Sequence, residues 1–201
     1  MNRVLDWGVA SQKLKGQKES GDLHLVKPFS NGMLVAVIDG LGHGSLAAQA
    51  AQAASDILSA FPHKSIIWLV EQCHRFLKET RGVAISLASF NTLSETLTWL
   101  GVGNVEGIIF YSGSHPEPAQ KSLLLRPGIV GCTLPRLDTT TIPIIPGDTL
   151  ILTTDGIDYN FSKRINLKNP PRQIAENIMK HHAKGNDDAL VLVARYLGGI
   201  K

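Results

Sequence analysis

Three acidic residues stand at the ends of strand-like apolar runs, where their side chains are suited to binding a metal ion. Asp39 and Asp155 each end such a run and each precede a glycine, and Asp187 stands just before a third run. A carboxylate at the end of a buried strand lies at the edge of a sheet, where losing water is costly unless a cation compensates the charge. Carboxylate oxygens favour Mg²⁺ or Mn²⁺ over zinc. The pattern therefore predicts a shared site for a hard metal ion.

The loop after Asp39 is rich in glycine, which narrows what it can bind. Gly40 has no Cβ, so its carbonyl can approach a metal ion closely. Residues 40–44 lead into a predicted helix, whose N terminus favours an anion. The loop lacks the G-x-G-x-x-G spacing of a dinucleotide site and the Gly-Lys-Ser/Thr of a P-loop. A haloacid-dehalogenase-type phosphatase is also excluded, because no second aspartate stands two residues from Asp39.

The composition is that of an ordinary globular protein and limits the function classes. The 201 residues are 43% hydrophobic and 18% charged, which predicts a single domain over residues 1–201. A net charge of +3 without a basic stripe predicts no nucleic-acid partner. Cys73 and Cys132 are far apart and outside any metal motif, which favours reduced thiols in a cytoplasmic protein. No run approaches the ~18 apolar residues that cross a membrane, and no signal peptide is visible, so no membrane association is expected.

Grouped helices and consecutive strands predict an α+β layered sandwich, with antiparallel sheets inside and helices outside. Helices are predicted at residues 45–61, with Ser45 as N-cap, and at 65–80 and 172–184. The turn Gly103-Asn104 predicts a hairpin between the strands on either side of it. Strands are predicted at residues 4–10, 23–26, 33–38, 83–89, 96–102, 107–111, 122–125, 149–154 and 189–194.

Four motifs together point to one protein family. They are Ser-Gly-Asp at 20–22, Val-Ile-Asp-Gly-Leu-Gly-His-Gly at 37–44, Thr-Thr-Asp-Gly at 153–156 and Asn-Asp-Asp-Ala at 186–189. In this order and spacing the chain resembles the metal-dependent serine/threonine phosphatases of type 2C, and within them the bacterial SpoIIE-like branch. A single Asp-Gly is weak evidence, whereas four ordered motifs cover almost the whole chain. The resemblance implies a four-layer αββα sandwich of two antiparallel sheets flanked by helices.

The resemblance also implies which residues form the catalytic site. Two Mn²⁺ or Mg²⁺ ions would lie between Asp39, Asp155 and Asp187, which are therefore the predicted catalytic residues. Asp39 would bridge both ions, the carbonyl of Gly40 would bind one of them, and Asp155 and Asp187 would hold the other. Asp22 matches an N-terminal acidic position that supports the second ion mainly through water. Two such ions activate a water molecule for in-line attack on phosphorus, without a covalent enzyme intermediate.

Several positions near the motifs depart from the family pattern or carry weaker expectations. Asp188 follows a predicted ligand and is expected to orient the loop. Leu41 replaces a histidine of many eukaryotic relatives, and for His43, two residues on, both a loop hydrogen bond and proton transfer stay open. Asn104 stands where many relatives have an acidic residue or a histidine, which disfavours a third metal ion. For Arg126 and Arg136, surface charge is favoured over contact with substrate phosphate.

The family resemblance implies a function in signalling. A phosphatase domain of this length without attached regulatory domains resembles the feedback phosphatases of bacterial stressosomes. It implies phosphorylated signalling proteins as partners, in particular STAS-domain scaffold proteins of the stressosome, whose dephosphorylation resets a stress response. Two alternatives stay open: an inactive phosphatase-like interaction module, and a small-molecule phosphohydrolase. The first is disfavoured because Asp39, Asp155 and Asp187 are all present, and the second needs a deep specificity pocket.

Overall fold

The computed structural model describes residues 4–113 and 119–199. The chain begins with strands β1 (Leu5–Gln12), β2 (Asp22–Phe29) and β3 (Gly32–Gly40), followed by helices α1 (Ser45–Ala60) and α2 (Ile66–Phe76). The next strands are β4 (Val83–Asn91), β5 (Thr96–Val102), β6 (Glu106–Phe110), β7 (Gln120–Ser122), β8 (Leu125–Arg126), β9 (Thr140–Pro143) and β10 (Thr149–Thr153). A 3₁₀ helix (Tyr159–Arg164), helix α3 (Pro171–His182) and strand β11 (Ala189–Tyr196) follow. No helix within the described ranges is long and apolar enough to span a membrane.

The strands form two sheets. The first sheet has the order β1-β11-β10-β6-β7, and the second has the order β2-β3-β4-β5-β8, with β9 also paired to β5. Neighbouring strands are antiparallel except for β5 and β8, which are parallel. The predicted antiparallel sheets are therefore confirmed, with one parallel pair at an edge.

Three apolar clusters separate four layers. One cluster lies between the two sheets, a second between the second sheet and helices α1 and α2, and a third between the first sheet and α3. Strand β3 contributes to two of them, since Val35 and Val37 face the other sheet while Ala36 and Ile38 face the helices. A strand buried on both faces must be apolar throughout. The predicted αββα sandwich is confirmed.

Helix α1 packs closely on the second sheet because its buried face is made of small side chains. Ala47, Ala50, Ala51 and Ala54 are fully buried there. A Cβ on Gly40 would lie 2.1 Å from the carbonyl oxygen of Ala47, so only glycine fits at the end of β3. The start of α1 is thereby fixed directly beside the end of β3.

The predicted hairpin at Gly103-Asn104 is wrong. Strand β5 belongs to the second sheet and β6 to the first, so the turn carries the chain from one sheet to the other. The neighbours of β5 are β4, β8 and β9, which leaves no free edge for β6. Gly103 has a φ of 95°, which suits the sharp change of direction.

Several predicted element boundaries are also wrong. The N-cap of α1 is Gly44 and not Ser45, and no side chain caps this end. Helix α2 ends at Phe76 rather than near residue 80, although Ser65 does cap it by accepting a hydrogen bond from the Trp68 amide. The predicted strand at 122–125 is divided between β7 of the first sheet and β8 of the second, and β9 was not predicted.

Candidate metal centre

The topology brings the predicted carboxylates to one end of the sandwich. In the second sheet, Asp22 at the start of β2 lies directly opposite Asp39 near the end of β3. In the first sheet, Asp155 follows the end of β10, and Asp187 precedes its antiparallel neighbour β11. Antiparallel neighbours place the end of one strand beside the start of the next. Each sheet therefore presents its acidic residues at one edge.

Thr154 joins these two edges. Its hydroxyl donates a hydrogen bond to Oδ2 of Asp22 at 2.7 Å and accepts one from the amide of Leu190 at 2.8 Å. The amide of Thr154 also donates to the carbonyl of Leu190 at 3.1 Å. A single side chain thus connects the acidic ends of both sheets, and all three of these residues are almost completely buried.

Asp188 organises the segment that precedes Asp22. Its Oδ1 accepts a hydrogen bond from the Leu14 amide and its Oδ2 one from the Gly21 amide, each at 2.7 Å. The side chain is buried, with the residue only 3% exposed. Gly21 in turn accepts a hydrogen bond from the Gly40 amide at 3.0 Å. The prediction that Asp188 orients the loop is confirmed, because both of its oxygens bind backbone amides.

Asp39, Asp155 and Asp187 line a cleft of about 510 Å³. Asp22 is buried beside this cleft, bonded to Thr154, and is not among the residues that line it. The remaining lining residues come from the loop after β3, from β4 and the turn after β5, and from the segment after β8: Leu41, Gly42, Ala84, Gly103, Asn104, Pro127, Gly128 and Ile129. The structure therefore brings three of the five predicted ligands to one cleft and Asp22 close behind it, while Gly40 directly follows Asp39 at the end of β3.

Asn104 and Lys184 hold Asp155 in place. The Asn104 side-chain amide donates to Oδ2 of Asp155 at 2.6 Å, and the ammonium of Lys184 donates to its backbone carbonyl at 2.7 Å. Sequence reasoning missed both contacts. The turn Gly103-Asn104 is typical of a hairpin, which does not point to Asp155, and no motif marks Lys184, which is 29 residues from its partner.

The other predicted positions lie around the cleft or away from it. His43 is exposed on the glycine-rich loop, and its ring forms no hydrogen bond with any residue in the ranges 4–113 and 119–199, so the predicted loop hydrogen bond is not formed there. Arg126 lies 3.3 Å from Asp138 in an exposed ion pair. Arg126 and Arg136 share a separate pocket with Asp138 rather than lining the carboxylate cleft. That placement agrees with their interpretation as surface charge.

Burial and mutual repulsion raise the pKa values of the clustered carboxyl groups. The pKa of Asp22 is raised to about 7 and that of Asp39 to about 8, in both cases chiefly by burial and further by neighbouring aspartates. The pKa of Asp155 is also raised, first by burial and then by Asp187, against opposing effects of Lys184 and Asn104. The site therefore favours the protonated form of these carboxyl groups, because burial and the neighbouring aspartates penalise their charge and the protein surroundings compensate it only in part.

We expect the protein in EDTA to lose stability as the pH rises from about 4 to about 8. In this range the native state keeps protons on Asp22 and Asp39 that the unfolded chain has released, because unfolded aspartates titrate near 3.9. Deprotonation of the native state then costs free energy. The free energy of unfolding, measured by urea denaturation, should fall by several kcal/mol across the range, since each unit of pKa difference contributes about 1.4 kcal/mol.

The control for this profile is the Asp39→Asn variant, which lacks one of the titrating groups. Its fall in stability should be smaller than that of the wild type. The pKa of His24 is lowered by burial, which acts in the opposite direction but equally in both proteins. Identical profiles for the two proteins would contradict the role assigned to Asp39.

The donor set fits a hard divalent cation. Within residues 4–113 and 119–199, no three His, Cys, Asp or Glu side chains converge as a ready-made ligand shell. The carboxylates instead flank the cleft, and their raised pKa values reflect burial first and repulsion between neighbouring aspartates second. Mg²⁺ usually binds through one or two carboxylates and keeps several waters. Carboxylate oxygens across an open cleft match that requirement better than they match the closed shell of a structural zinc ion.

The sequence profile of the Stage II sporulation protein E (SpoIIE) family matches residues 30–197. The chain belongs to the SpoIIE family. Among curated proteins, the phosphoserine phosphatase RsbX of Bacillus subtilis (strain 168) is 26% identical over 182 residues, which cover 89% of this SpoIIE-family chain and 88% of RsbX.

Solved structures of similar fold agree with this membership. A chain from the bacterial stressosome, described as a modular system adapted to control secondary messenger signalling, matches with a TM-score of 0.86 and 26% identity, over 96% of this chain and 100% of that one. RsbX in complex with magnesium matches with a TM-score of 0.85 and 23% identity, over 98% of this chain and 97% of the RsbX chain. The PP2C phosphatase domain of SpoIIE from Bacillus subtilis, with a fragment of its regulatory domain, matches with a TM-score of 0.75 and 18% identity. The match covers 98% of this chain and 64% of that one.

These comparisons test the resemblance drawn from the four motifs. The predicted kinship with the SpoIIE-like branch of the type 2C phosphatases, and with its stressosome phosphatases, is confirmed. The predicted fold class is confirmed by the same structures. This SpoIIE-family chain is accordingly a phosphatase of the serine/threonine class.

Proposed function

We propose that this chain is a Mn²⁺- or Mg²⁺-dependent protein phosphatase of the cytoplasm. It removes phosphate from serine or threonine of a phosphorylated stressosome protein, most directly a STAS-domain scaffold, as negative feedback on a stress response. The observation that carries the proposal is the meeting of Asp39, Asp155 and Asp187 from both sheets at one cleft. Residues 1–201 form one catalytic domain in this proposal.

Two ions would be held by the same five residues that the motifs indicate. Asp39 and the Gly40 carbonyl would serve one ion and Asp155 and Asp187 the other, with Asp39 shared and Asp22 supporting from behind. Bound ions of this kind supply an activated water and neutralise charge on the phosphoryl oxygens. The raised pKa values of Asp22 and Asp39 support this assignment, because a cation would replace the protons that these groups hold.

The protein groups around the carboxylates orient them for this role. Asn104 restrains the side chain of Asp155, and Lys184 restrains its backbone carbonyl. Thr154 restrains Asp22 with a hydrogen bond that favours the charged carboxylate, and burial opposes it. Asp155 and Leu41 are exposed at the mouth of the cleft, so a phosphorylated side chain of another protein has access. Orientation of this kind contributes to catalysis by fixing the reacting groups before the substrate arrives.

The choice of substrate is supported by the relatives. RsbX is a phosphoserine phosphatase, and the similar chain of 26% identity comes from a stressosome structure. Both are matched over almost their whole length. A phosphorylated protein is therefore a better candidate substrate than a free metabolite, and a stressosome component is the first to test.

The proposal is tested by release of inorganic phosphate from a phosphorylated STAS domain and from a phosphothreonine peptide, with Mn²⁺ titrated into metal-stripped protein. We expect saturable turnover that depends on Mn²⁺, since the site lacks compensating charge without it. Free phosphoserine and nucleotides are the comparison substrates, and faster turnover of either would favour a small-molecule phosphohydrolase. Mn²⁺ binding without turnover of any substrate would favour an interaction module, and absence of Mn²⁺ binding would refute the metal site.

A further inference from the structure

Arg81 occupies a fixed position next to the glycine-rich loop of the site. It lies in the turn before β4, and the amide of Leu41 donates to the carbonyl of Gly82 in this turn at 3.1 Å. The hydroxyl of Thr80 accepts a hydrogen bond from the Gly82 amide at 3.0 Å. The turn is therefore bonded both internally and to the loop that follows β3, which sets the backbone of Arg81 beside the cleft.

The side chain of Arg81 lies against Gly42. A Cβ on Gly42 would lie 2.8 Å from Nη1 of Arg81, so the guanidinium rests on bare backbone. Gly42 has a φ of 87°, a conformation that favours glycine. Gly42 also lines the cleft together with Asp39 and Asp155. Arg81 is not itself among the residues that line the cleft, but its guanidinium lies directly beside one of them, Gly42, and so stands next to the rim.

The guanidinium of Arg81 has no hydrogen bond or ion pair with any residue in the ranges 4–113 and 119–199. Arg126, in contrast, pairs with Asp138 at 3.3 Å. Lys184 is another cation near the carboxylates, and its ammonium already donates to the carbonyl of Asp155. Arg81 therefore stays available to an anion that enters the cleft.

A phosphoryl group is the anion that this position suits. The guanidinium is a planar fork that donates two parallel hydrogen bonds to phosphate oxygens. Near the cleft, a phosphate dianion experiences repulsion from Asp39, Asp155 and Asp187, which a cation at the rim offsets. The charge of Arg81 is permanent, so this contribution does not depend on pH.

We propose that Arg81 binds the phosphoryl group of the substrate, and the product phosphate, through its guanidinium. This assignment rests on the proposed phosphatase function and adds a residue that none of the four motifs contains. Arg81 binds non-reacting phosphoryl oxygens and transfers no proton. Its effect therefore appears mainly in KM and in phosphate affinity.

The test compares Arg81→Ala and Arg81→Lys with wild type and with Arg75→Ala, which removes an exposed arginine in the last turn of α2. Steady-state kinetics on the phosphothreonine peptide give KM and kcat. Equilibrium dialysis of radiolabelled inorganic phosphate against Mn²⁺-loaded protein gives a dissociation constant without turnover. Mn²⁺ affinity is measured by calorimetry on each variant.

We expect Arg81→Ala to raise KM and the phosphate dissociation constant about tenfold or more, because it removes charge-assisted hydrogen bonds to phosphate. Arg81→Lys should lie between Arg81→Ala and the wild type, since it keeps the charge and loses the fork. Arg75→Ala should match the wild type. Mn²⁺ affinity should not fall in any of these variants.

Two results would overturn the proposal. One is a phosphate dissociation constant that stays at the wild-type value in both Arg81 variants. The other is a parallel loss of Mn²⁺ affinity, which would assign Arg81 to the structure of the loop. If the wild type turns over no substrate, the phosphatase function fails, and the dialysis result still decides whether Arg81 binds phosphate.

Discussion

Asp39→Asn and Asp155→Asn are each expected to abolish Mn²⁺-dependent phosphate release while leaving the chain folded. Each change removes a carboxylate that lines the cleft and keeps the size of the side chain. A two-ion site that loses a shared or terminal carboxylate no longer positions its ions, so turnover should fall by about a thousandfold or more. Phosphate release from the phosphothreonine peptide over a Mn²⁺ titration measures the loss.

The same variants should not be destabilised in the absence of metal. Asp39 carries a pKa raised to about 8, so folding near neutral pH requires this carboxyl group to take up a proton, which costs free energy. We expect Asp39→Asn to raise the free energy of unfolding in EDTA at pH 8 by about 1–2 kcal/mol, as is common when a functional site is relieved of uncompensated charge. Gain of stability together with loss of turnover is difficult to explain by misfolding.

Asp56→Asn is the matched control for both measurements. Asp56 is exposed on α1 and accepts a hydrogen bond from Gln52 at 2.7 Å, away from the cleft. Its replacement should leave turnover, Mn²⁺ affinity and the unfolding midpoint close to the wild type. Near-normal turnover in Asp39→Asn or Asp155→Asn would show that the metal ions, if bound, depend on other ligands.

Some of this site could be predicted because its signals are local. Strand β3 is buried on both faces, which produces an uninterrupted apolar run, and Asp39 stands out at its end. Gly40 marks the close approach of α1, and the alanines of α1 mark its packing face. Local patterns of this kind also located β10 and β11, and with them Asp155 and Asp187.

Other features depend on pairing between distant segments, which no local pattern determines. A turn of Gly103-Asn104 between two apolar runs is typical of a hairpin, yet β5 pairs elsewhere and the chain changes sheets. Only that crossing brings Asn104 to the carboxylate of Asp155, 51 residues away. Arg81 likewise stands at the cleft only because its turn is bonded to the loop at Leu41.

Asp188→Ala is expected to destabilise the protein and to loosen the segment before β2. The carboxylate accepts hydrogen bonds from the amides of Leu14 and Gly21, the former 174 residues away, and it is only 3% exposed. Its removal leaves two amides without an acceptor, which should cost about 2–4 kcal/mol of unfolding free energy. Urea denaturation measures the loss, and hydrogen exchange should be faster at both amides.

Asp188→Asn separates the hydrogen-bonding role from the charge. An asparagine side chain offers one acceptor and places an NH₂ group against a second amide donor, so we expect it to recover only part of the lost stability. Mn²⁺ affinity should fall in both variants. Gly21 is adjacent to Asp22, so a Gly21 amide that is no longer held by residue 188 allows the Asp22 carboxylate to shift. An Asp188→Ala protein as stable as the wild type would contradict the anchoring role.

The neighbouring residue provides the sharpest comparison for this prediction. Asp187 lines the cleft, and its only described hydrogen bond is the short one from the Asp188 amide at 2.8 Å. We therefore expect Asp187→Ala to lose turnover with little change in the free energy of unfolding. Asp188→Ala should instead show its main effect as a loss of unfolding free energy. Two adjacent aspartates are alike in charge and sequence context, so opposite phenotypes would follow from where each side chain points. One faces the cleft, and the other faces two backbone amides that hold the site together.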